Sequence, residues 1–238
     1  MKKLRNLACI AFAGSLALSA PQAKADVISF QQGENEYNSV TDTHITNADP
    51  NATYNNLSFF SVDQSSNGSV YQALINFQDL FGHGENQIPF GADIFQANLF
   101  LQTAGGSGDS IELYEMLQSW NSGATWNSFT NGIQANGLEA TLSPISISPQ
   151  ISDGDLINFD VTQTLQFWAQ DLLPNYGWAL ISSGTDGIDI YSSEGRVVPR
   201  LEVQYTPFNP ENPVPEPKTL TLFASGLAGA YVFSKRKK

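Results

Sequence analysis

The feature that most constrains the fold is a series of short segments in which apolar and polar side chains alternate. In residues 95–101 every odd position is apolar, and Gln96 and Asn98 lie on the other face. A period of two residues is typical of a strand with one buried face. Further segments of β-prone or alternating character are residues 40–46, 57–62, 70–77, 111–117, 138–142, 145–147, 156–159, 178–181, 188–191 and 201–205. About ten short strands with turn residues every eight to twelve positions predict an all-β sandwich.

Two turns predict hairpins, and one segment predicts a helix. Asn67-Gly68 lies between two strand segments, which is a strong hairpin signal, and residues 185–187 are expected to join a second pair of strands. Asp160 can cap a short helix that ends before a proline, with a glutamine three residues later to complete the capping box. The apolar residues of this helix recur at helical spacing: Val161, Leu165, Trp168 and Leu172.

The N-terminus predicts a secretory signal peptide. Three basic residues within the first five positions precede an apolar run at residues 7–20, and Ala23 and Ala25 form an A-x-A cleavage site. We therefore expect residues 1–25 to be removed by a cut after Ala25. The only cysteine, Cys9, would leave with them. The body then depends on an ordinary core instead of disulfides, and thiol catalysis and cysteine-based metal sites are excluded from it.

The C-terminus has three consecutive parts. Residues 207–217 form a linker with five prolines that ends in Val214, Pro215, Glu216 and Pro217. Residues 218–238 then hold an apolar run followed by four basic residues. This arrangement resembles a PEP-CTERM sorting signal, the tail of exported bacterial proteins that an exosortase processes.

The resemblance implies an exosortase-like processing enzyme as a partner and an exported protein of the cell envelope or extracellular space. We expect the apolar run to form a hydrophobic helix that contacts the membrane before processing. The run is shorter than the ~20 apolar residues that span a bilayer comfortably. A transient stop is the favoured interpretation, and a permanent C-terminal membrane anchor is the alternative.

The body between the two ends is strongly acidic. Of the 11 basic residues only Arg196 and Arg200 lie in residues 26–217, whereas all 23 acidic residues do, so its formal charge is −21. Nucleic-acid affinity depends on how many phosphates Lys and Arg can neutralise. Nucleic acid is therefore excluded as a partner of the body, and anionic lipid headgroups are excluded for the same reason.

A set of short blocks extends along the body: residues 41–45, 74–77, 88–92, 97–99, 124–127, 159–162, 175–180, 191–194 and 199–203, together with Trp120 and Trp168. In order and spacing these blocks resemble the DNRLRE domain family, which is related to carbohydrate-binding module family 96. The resemblance implies that residues 26–206 form one jelly-roll-like antiparallel β-sandwich. It also implies association with carbohydrate, because such domains are commonly appended to secreted polysaccharide-active or surface proteins.

Aromatic side chains are the first candidates for ligand binding. Trp120 and Trp126 lie in an irregular Asn-rich stretch and are either exposed sugar platforms or core residues; the rings of tryptophans suit the C–H faces of sugars. Tyr191 and Arg200 are the other two predicted ligand contacts. Arg200 is also expected to pair with an acidic side chain at a strand end. The expected polysaccharide is neutral, or acidic and bridged to the body by calcium.

Two acidic turns are candidate ligands for a structural calcium ion. Calcium takes six to eight oxygen ligands, and Asp153 with Asp155, or Asp186 with Asp189, could supply some of them. Neither pair matches an EF-hand loop, and both are equally compatible with ordinary turns.

No catalytic residues are predicted. His44 is expected to pack within a strand and His83 to lie solvated in a loop, and no G-x-S-x-G nucleophile motif occurs. The prediction is an exported, non-catalytic, carbohydrate-associated or matrix protein. Two alternatives remain: a polysaccharide-degrading lyase or glycoside hydrolase, which needs only two suitably spaced carboxylates, and an adhesive surface protein that binds other proteins.

Overall fold

The computed structural model describes residues 24–207, and these form a curled antiparallel β-structure with one short α-helix. The elements in chain order are β1 (Asp26–Gln31), β2 (Val40–Thr46), β3 (Phe59–Gln64), β4 (Val70–Phe77), β5 (Asp93–Gly108), β6 (Ile111–Glu115), a 3₁₀ turn (Trp126–Phe129), β7 (Ser146–Ile147), β8 (Ile151–Ser152), β9 (Leu156–Asp160), α1 (Thr162–Ala169), β10 (Trp178–Ser182), β11 (Ile188–Tyr191) and β12 (Arg200–Thr206). The all-β prediction with one short helix is confirmed.

The strands form a continuous ladder that curls into two facing layers. The ladder runs β1-β12-β5-β11-β3-β4-β10-β6-β7, with β2 beside β4 and with β8 and β9 beside β5. One layer contains β2, β4, β10, β6 and β7, and the other contains β1, β12, β5, β9, β11 and β3. Strand β3 joins the two layers, because it pairs with β11 and also, at Asp63 and Gln64, with the start of β4.

The main core fills the space between the layers. Alternate residues of each strand enter it, for example Ala73, Ile75 and Phe77 from β4 and Trp178 and Leu180 from β10. Helix α1 closes one side of this core with Leu165, Trp168 and Ala169. Trp168 and Trp178 pack with ring centroids 4.9 Å apart, so both belong to the core and not to the surface.

A second core cluster lies on the outer face of the β4 layer. Strand residues on that face pack against the irregular segment of residues 117–145, which covers them. The buried members are Ile45, Leu74, Tyr114, Met116, Ala124, Phe129, Ile133, Ala140 and Ala179. The irregular Asn-rich stretch therefore packs over this cluster and covers it. Residues 138–142 are predicted to form a strand, but they contribute only a single bridge between Ala140 and Met116.

Three further sequence predictions are wrong. Strands β10 and β11 do not form a hairpin: β10 pairs with β4 and β6, whereas β11 pairs with β3 and β5. The small and glycine residues at 104–109 predict a turn, but β5 continues through them to Gly108, where β8 and β11 pair with it. Leu172 does not join the apolar face of the helix, since α1 ends at Ala169 and Leu172 is 62% exposed.

Candidate functional site

Trp120 and Trp126 belong to the segment that covers the second core cluster. Both are partly buried and pack against that cluster. The Trp120 indole Nε1 donates a hydrogen bond of 2.6 Å to the backbone oxygen of Tyr176, and the Trp126 ring lies against Gly132, leaving no room there for a Cβ atom. Each ring is therefore held by its surroundings and exposes only part of its surface.

Tyr191 lies on the outer face of the other layer, at the end of β11. Its neighbour Ile190 points into the main core, so the alternation of the strand turns the Tyr191 ring outward. Tyr191 is paired with Phe59 of β3, which is 42% exposed. The guanidinium carbon of Arg196 lies 5.0 Å from the centroid of the Tyr191 ring, a cation–π arrangement.

Arg200 lies on the same outer face, at the start of β12. It is paired with Phe100 of β5, and its guanidinium carbon lies 4.4 Å from the Phe100 ring centroid. Its Nη1 also donates to the Glu202 carboxylate at 2.8 Å. With side chains about one third exposed, this ion pair adds little to stability, but it fixes the direction of the guanidinium. The expected pairing of Arg200 with an acidic side chain is confirmed.

These residues form one surface, which we call the aromatic–arginine face. Strands β3, β11, β5 and β12 are neighbours in the ladder, and the residues next to each outward side chain are buried in the main core. The face consists of Phe59, Phe100, Tyr191, Arg196 and Arg200. It holds both arginines of the acidic body, each lying over an aromatic ring. Its exposed groups are therefore the guanidinium donors, which suit hydroxyl groups, and the Phe59 ring, which is 42% exposed and suits the C–H face of a sugar.

The four predicted ligand contacts are thus divided between two opposite outer faces. Tyr191 and Arg200 are on the aromatic–arginine face, whereas Trp120 and Trp126 are on the cover of the β4 layer. Sequence reasoning missed Phe59, Phe100 and Arg196 as members of the face. The sequence does contain an indication for Phe100: it is an aromatic residue on the polar side of β5, between Asn98 and Gln102.

Three of the predicted calcium ligands, Asp153, Asp155 and Asp186, lie in turns or loops, and Asp189 lies in β11. Asp155 accepts a hydrogen bond from the backbone N–H of Ser152 at 2.8 Å, and Asp153 is exposed in the same turn. Asp189 accepts from the Ser61 hydroxyl at 2.6 Å, while Asp186 follows β10 and lies near Ser107. Within residues 24–207 no group of three or more His, Asp or Glu side chains is arranged to hold a metal ion, so calcium binding stays a prediction.

Two buried titratable residues link the layers. Asp42 and His44 point inward from β2, opposite Ile75 and Ala73. A carboxylate oxygen of Asp42 accepts from the backbone N–H of Ser193 at 2.7 Å. Burial raises the pKa of Asp42 to about 6, with the nearby Glu194 carboxylate acting in the same direction and the hydrogen bonds from Ser193 opposing it.

His44 makes the matching contact with β3. Its Nδ1 accepts from the backbone N–H of Ser61 at 3.1 Å, and its ring packs 4.4 Å from the Tyr54 ring. Burial lowers the pKa of His44 to about 4, against the opposing effect of the Asp189 charge. A neutral imidazole is what the hydrogen bond from Ser61 requires, so the packing role expected for His44 is confirmed.

A third buried titratable residue lies at the edge of the main core. Glu115 is 4% exposed and accepts a hydrogen bond from the Trp168 indole at 2.9 Å. Burial raises its pKa, while the bond from Trp168 acts in the opposite direction. The three buried groups therefore have structural partners in the core.

The comparison with protein families adds the identity of the tail. The PEP-CTERM protein-sorting motif matches residues 213–237, a range that contains the predicted Val214, Pro215, Glu216 and Pro217. No curated protein matches the chain. The matched range and residues 1–23 of the predicted signal peptide lie outside the described residues. Within residues 24–207 no helix is long and apolar enough to cross a membrane. The chain therefore carries a PEP-CTERM sorting signal and is an exported protein sorted by an exosortase-type system.

Proposed function

We propose that the body is a non-catalytic carbohydrate-binding module that associates the exported protein with a polysaccharide of the envelope or extracellular matrix. The observation that carries the proposal is the aromatic–arginine face, where each of the body's two arginines lies over an aromatic ring. The resemblance of the body to the DNRLRE family supports the same class of ligand. The proposal includes a calcium ion, which would bridge the acidic body to an acidic glycan.

The direction of β12 separates Arg200 from the point where the chain leaves the described residues. Strand β12 begins at Arg200 and ends at Thr206, after which the chain continues toward the tail. At ~3.4 Å per residue, Arg200 lies roughly 20 Å from that exit. Tyr191 and Phe59 lie farther along the same layer, since β11 pairs with β5 at Thr103, beyond Phe100.

The chemistry of the face favours a long polymer over a small ligand. The side chains lie on the outside of the layer, on neighbouring strands, and not in an enclosed cavity. A sugar chain crossing the strands could contact rings and guanidinium groups in turn, and its hydroxyl groups could accept from Arg196, which is exposed. The body's charge of −21 disfavours polyanions elsewhere on its surface.

Isothermal calorimetry against neutral and uronate-containing polysaccharides, with and without calcium, tests the proposal. Phe59→Ala and Phe90→Ala are a matched pair, since both phenylalanines are exposed, at 42% and 57%, and Phe90 lies outside the face. We expect Phe59→Ala to weaken binding about tenfold, as loss of a stacked ring costs on the order of 1 kcal/mol, and Phe90→Ala to bind as wild type. No binding to any polysaccharide, or equal effects of both changes, would contradict the proposal.

Catalysis is tested on the same panel. We expect no release of reducing sugar and no unsaturated uronate absorbance after prolonged incubation. Appearance of either product, and its loss on changing a single carboxylate, would replace the proposed binding role with an enzymatic one.

A further inference from the structure

A groove of about 410 Å³ follows strand β1. Residues 26–30 all line it, so the groove runs along the strand and does not merely touch one end of it. Its other walls are formed by Asn35, Tyr37, Glu85, Asn86 and Tyr205. The side chain of Asn86 donates to the backbone oxygen of Asn35 at 2.9 Å, which joins two of these wall segments.

The groove lies beside an open sheet edge. Within the described residues β1 pairs only with β12 and is the terminal strand of the ladder. The backbone groups on its second edge are therefore unpaired within the sheet. Such edges readily take up an extended segment of chain.

The chain leaves the described region next to this groove. Tyr205, which lines the groove, is paired with Asp26 at the start of β1, and Pro207 follows two residues later. The continuing linker has prolines at 207, 210 and 213. A polyproline II helix has three residues per turn, so these prolines would lie on one face of it. Proline-rich segments of this kind dock into grooves lined by aromatic residues. Phe30, Tyr37 and Tyr205 border this groove, and because their rings belong to the main core they expose only 1%, 8% and 8% of their surface to it.

We propose that the linker, residues 207–213, docks in the groove along β1 of its own chain. β12 is antiparallel to β1 and ends beside Asp26, so the linker must turn back to follow β1. Six residues beyond Pro207 extend roughly 19 Å in a polyproline II conformation, and the five groove residues of β1 extend roughly 13 Å at ~3.3 Å per residue. The remaining length of about 6 Å covers one strand spacing of about 4.8 Å. Docking would hold the sorting motif, residues 214–217, at a defined place beside the body.

Proximity and charge favour the chain's own linker over a second copy of the body as the occupant of the groove. The linker starts at the mouth of the groove, so its effective concentration there is high and no second molecule has to be immobilised. Another copy of the body would bring its own charge of −21 toward Asp26 and Glu85, which opposes association. The linker's Glu211 is not on the face that carries the three prolines.

Cysteine cross-linking of the full chain tests the proposal, because Cys9 is the only native cysteine and can be changed to Ser. Asn209→Cys in the linker is combined with Asn86→Cys in the groove wall. The control combines Asn209→Cys with Gln96→Cys, an exposed position opposite Gln204 on the other side of β12. All three cysteines replace neutral polar residues, so charge is unchanged.

Under mild oxidation we expect the intramolecular disulfide of the Asn86 pair to form about tenfold faster than that of the control pair, through a higher effective concentration. Adding Pro210→Gly and Pro213→Gly should remove most of this difference. Circular dichroism and thermal melting confirm that each variant is folded. Equal rates, a faster control pair, or disulfide-linked dimers as the main product would overturn docking of the chain's own linker.

Discussion

Asp42 and His44 lie two residues apart on β2, and each accepts a backbone N–H hydrogen bond from the opposite layer of the sandwich. The donors are Ser193, just after β11, and Ser61 in β3. Both side chains are 4% exposed. The two residues therefore tie one layer to the other, and their pKa values move in opposite senses, which leads to two complementary predictions on stability.

Replacing Asp42 with Asn should stabilise the protein at neutral pH. The pKa of Asp42 is raised from 3.8 to about 6, so its protonated form contributes stability that is fully present below pH 3.8 and is lost as pH rises through 6. The loss amounts to about 3 kcal/mol. Asn cannot ionise and still offers an oxygen to Ser193. In urea unfolding the variant should be more stable than wild type at pH 7 and about equally stable at pH 4. A difference in stability that does not change with pH would contradict a raised pKa of Asp42.

Replacing His44 with Asn should change the pH dependence in the other direction. The pKa of His44 is lowered from 6.5 to about 4. The neutral imidazole therefore contributes about 3 kcal/mol to the free energy of unfolding above pH 6.5, and this contribution is lost as pH falls through 4. The variant loses the contact with Tyr54 and should be less stable at pH 7. Its deficit should shrink as the pH is lowered toward 4, and a deficit that stays constant would argue against a neutral buried imidazole.

Gly177 is a position where a side chain should not be tolerated. Its φ is +71°, and a Cβ atom would collide with the backbone oxygen of Ile75 and the side chain of Asn76. Gly177→Ala should cost roughly 3 kcal/mol or more from backbone strain and overpacking together. Gly154 is the matched control: its φ is +83° with nothing within 4 Å of a Cβ, so Gly154→Ala should cost only about 1 kcal/mol. Equal melting temperatures for the two variants would contradict this difference.

Gln72 should be needed to hold the cover of the second core cluster. Its amide accepts from the Ile133 N–H at 2.7 Å and donates to the Ile133 oxygen at 3.0 Å. Gln72→Leu leaves both backbone groups without these partners, which should cost about 2 to 4 kcal/mol. Amide hydrogen exchange in residues 126–136 should rise more than in β4 itself. Unchanged exchange in that segment would show that other contacts hold the cover.

Most strand positions and the C-terminal sorting motif are encoded locally in the sequence. The β-prone residues of β2 and the alternation in β4 placed both strands at the residues where the structure has them, although the two core clusters bury both faces of these strands. The tail motif was readable for a similar reason, since an apolar run between a proline motif and basic residues is a linear signal. The linear match at residues 213–237 needs no tertiary contact.

Which strands are neighbours, and which side chains share a surface, depends on contacts between distant parts of the chain. β10 and β11 are close in sequence, yet they belong to opposite layers, because each finds longer-range partners that bury its apolar face. Phe59, Phe100 and Tyr191 come together from strands far apart along the chain, a pairing that no local pattern encodes. The Asn-rich stretch packs over the outer face of the β4 layer, because that face has apolar side chains that must be buried.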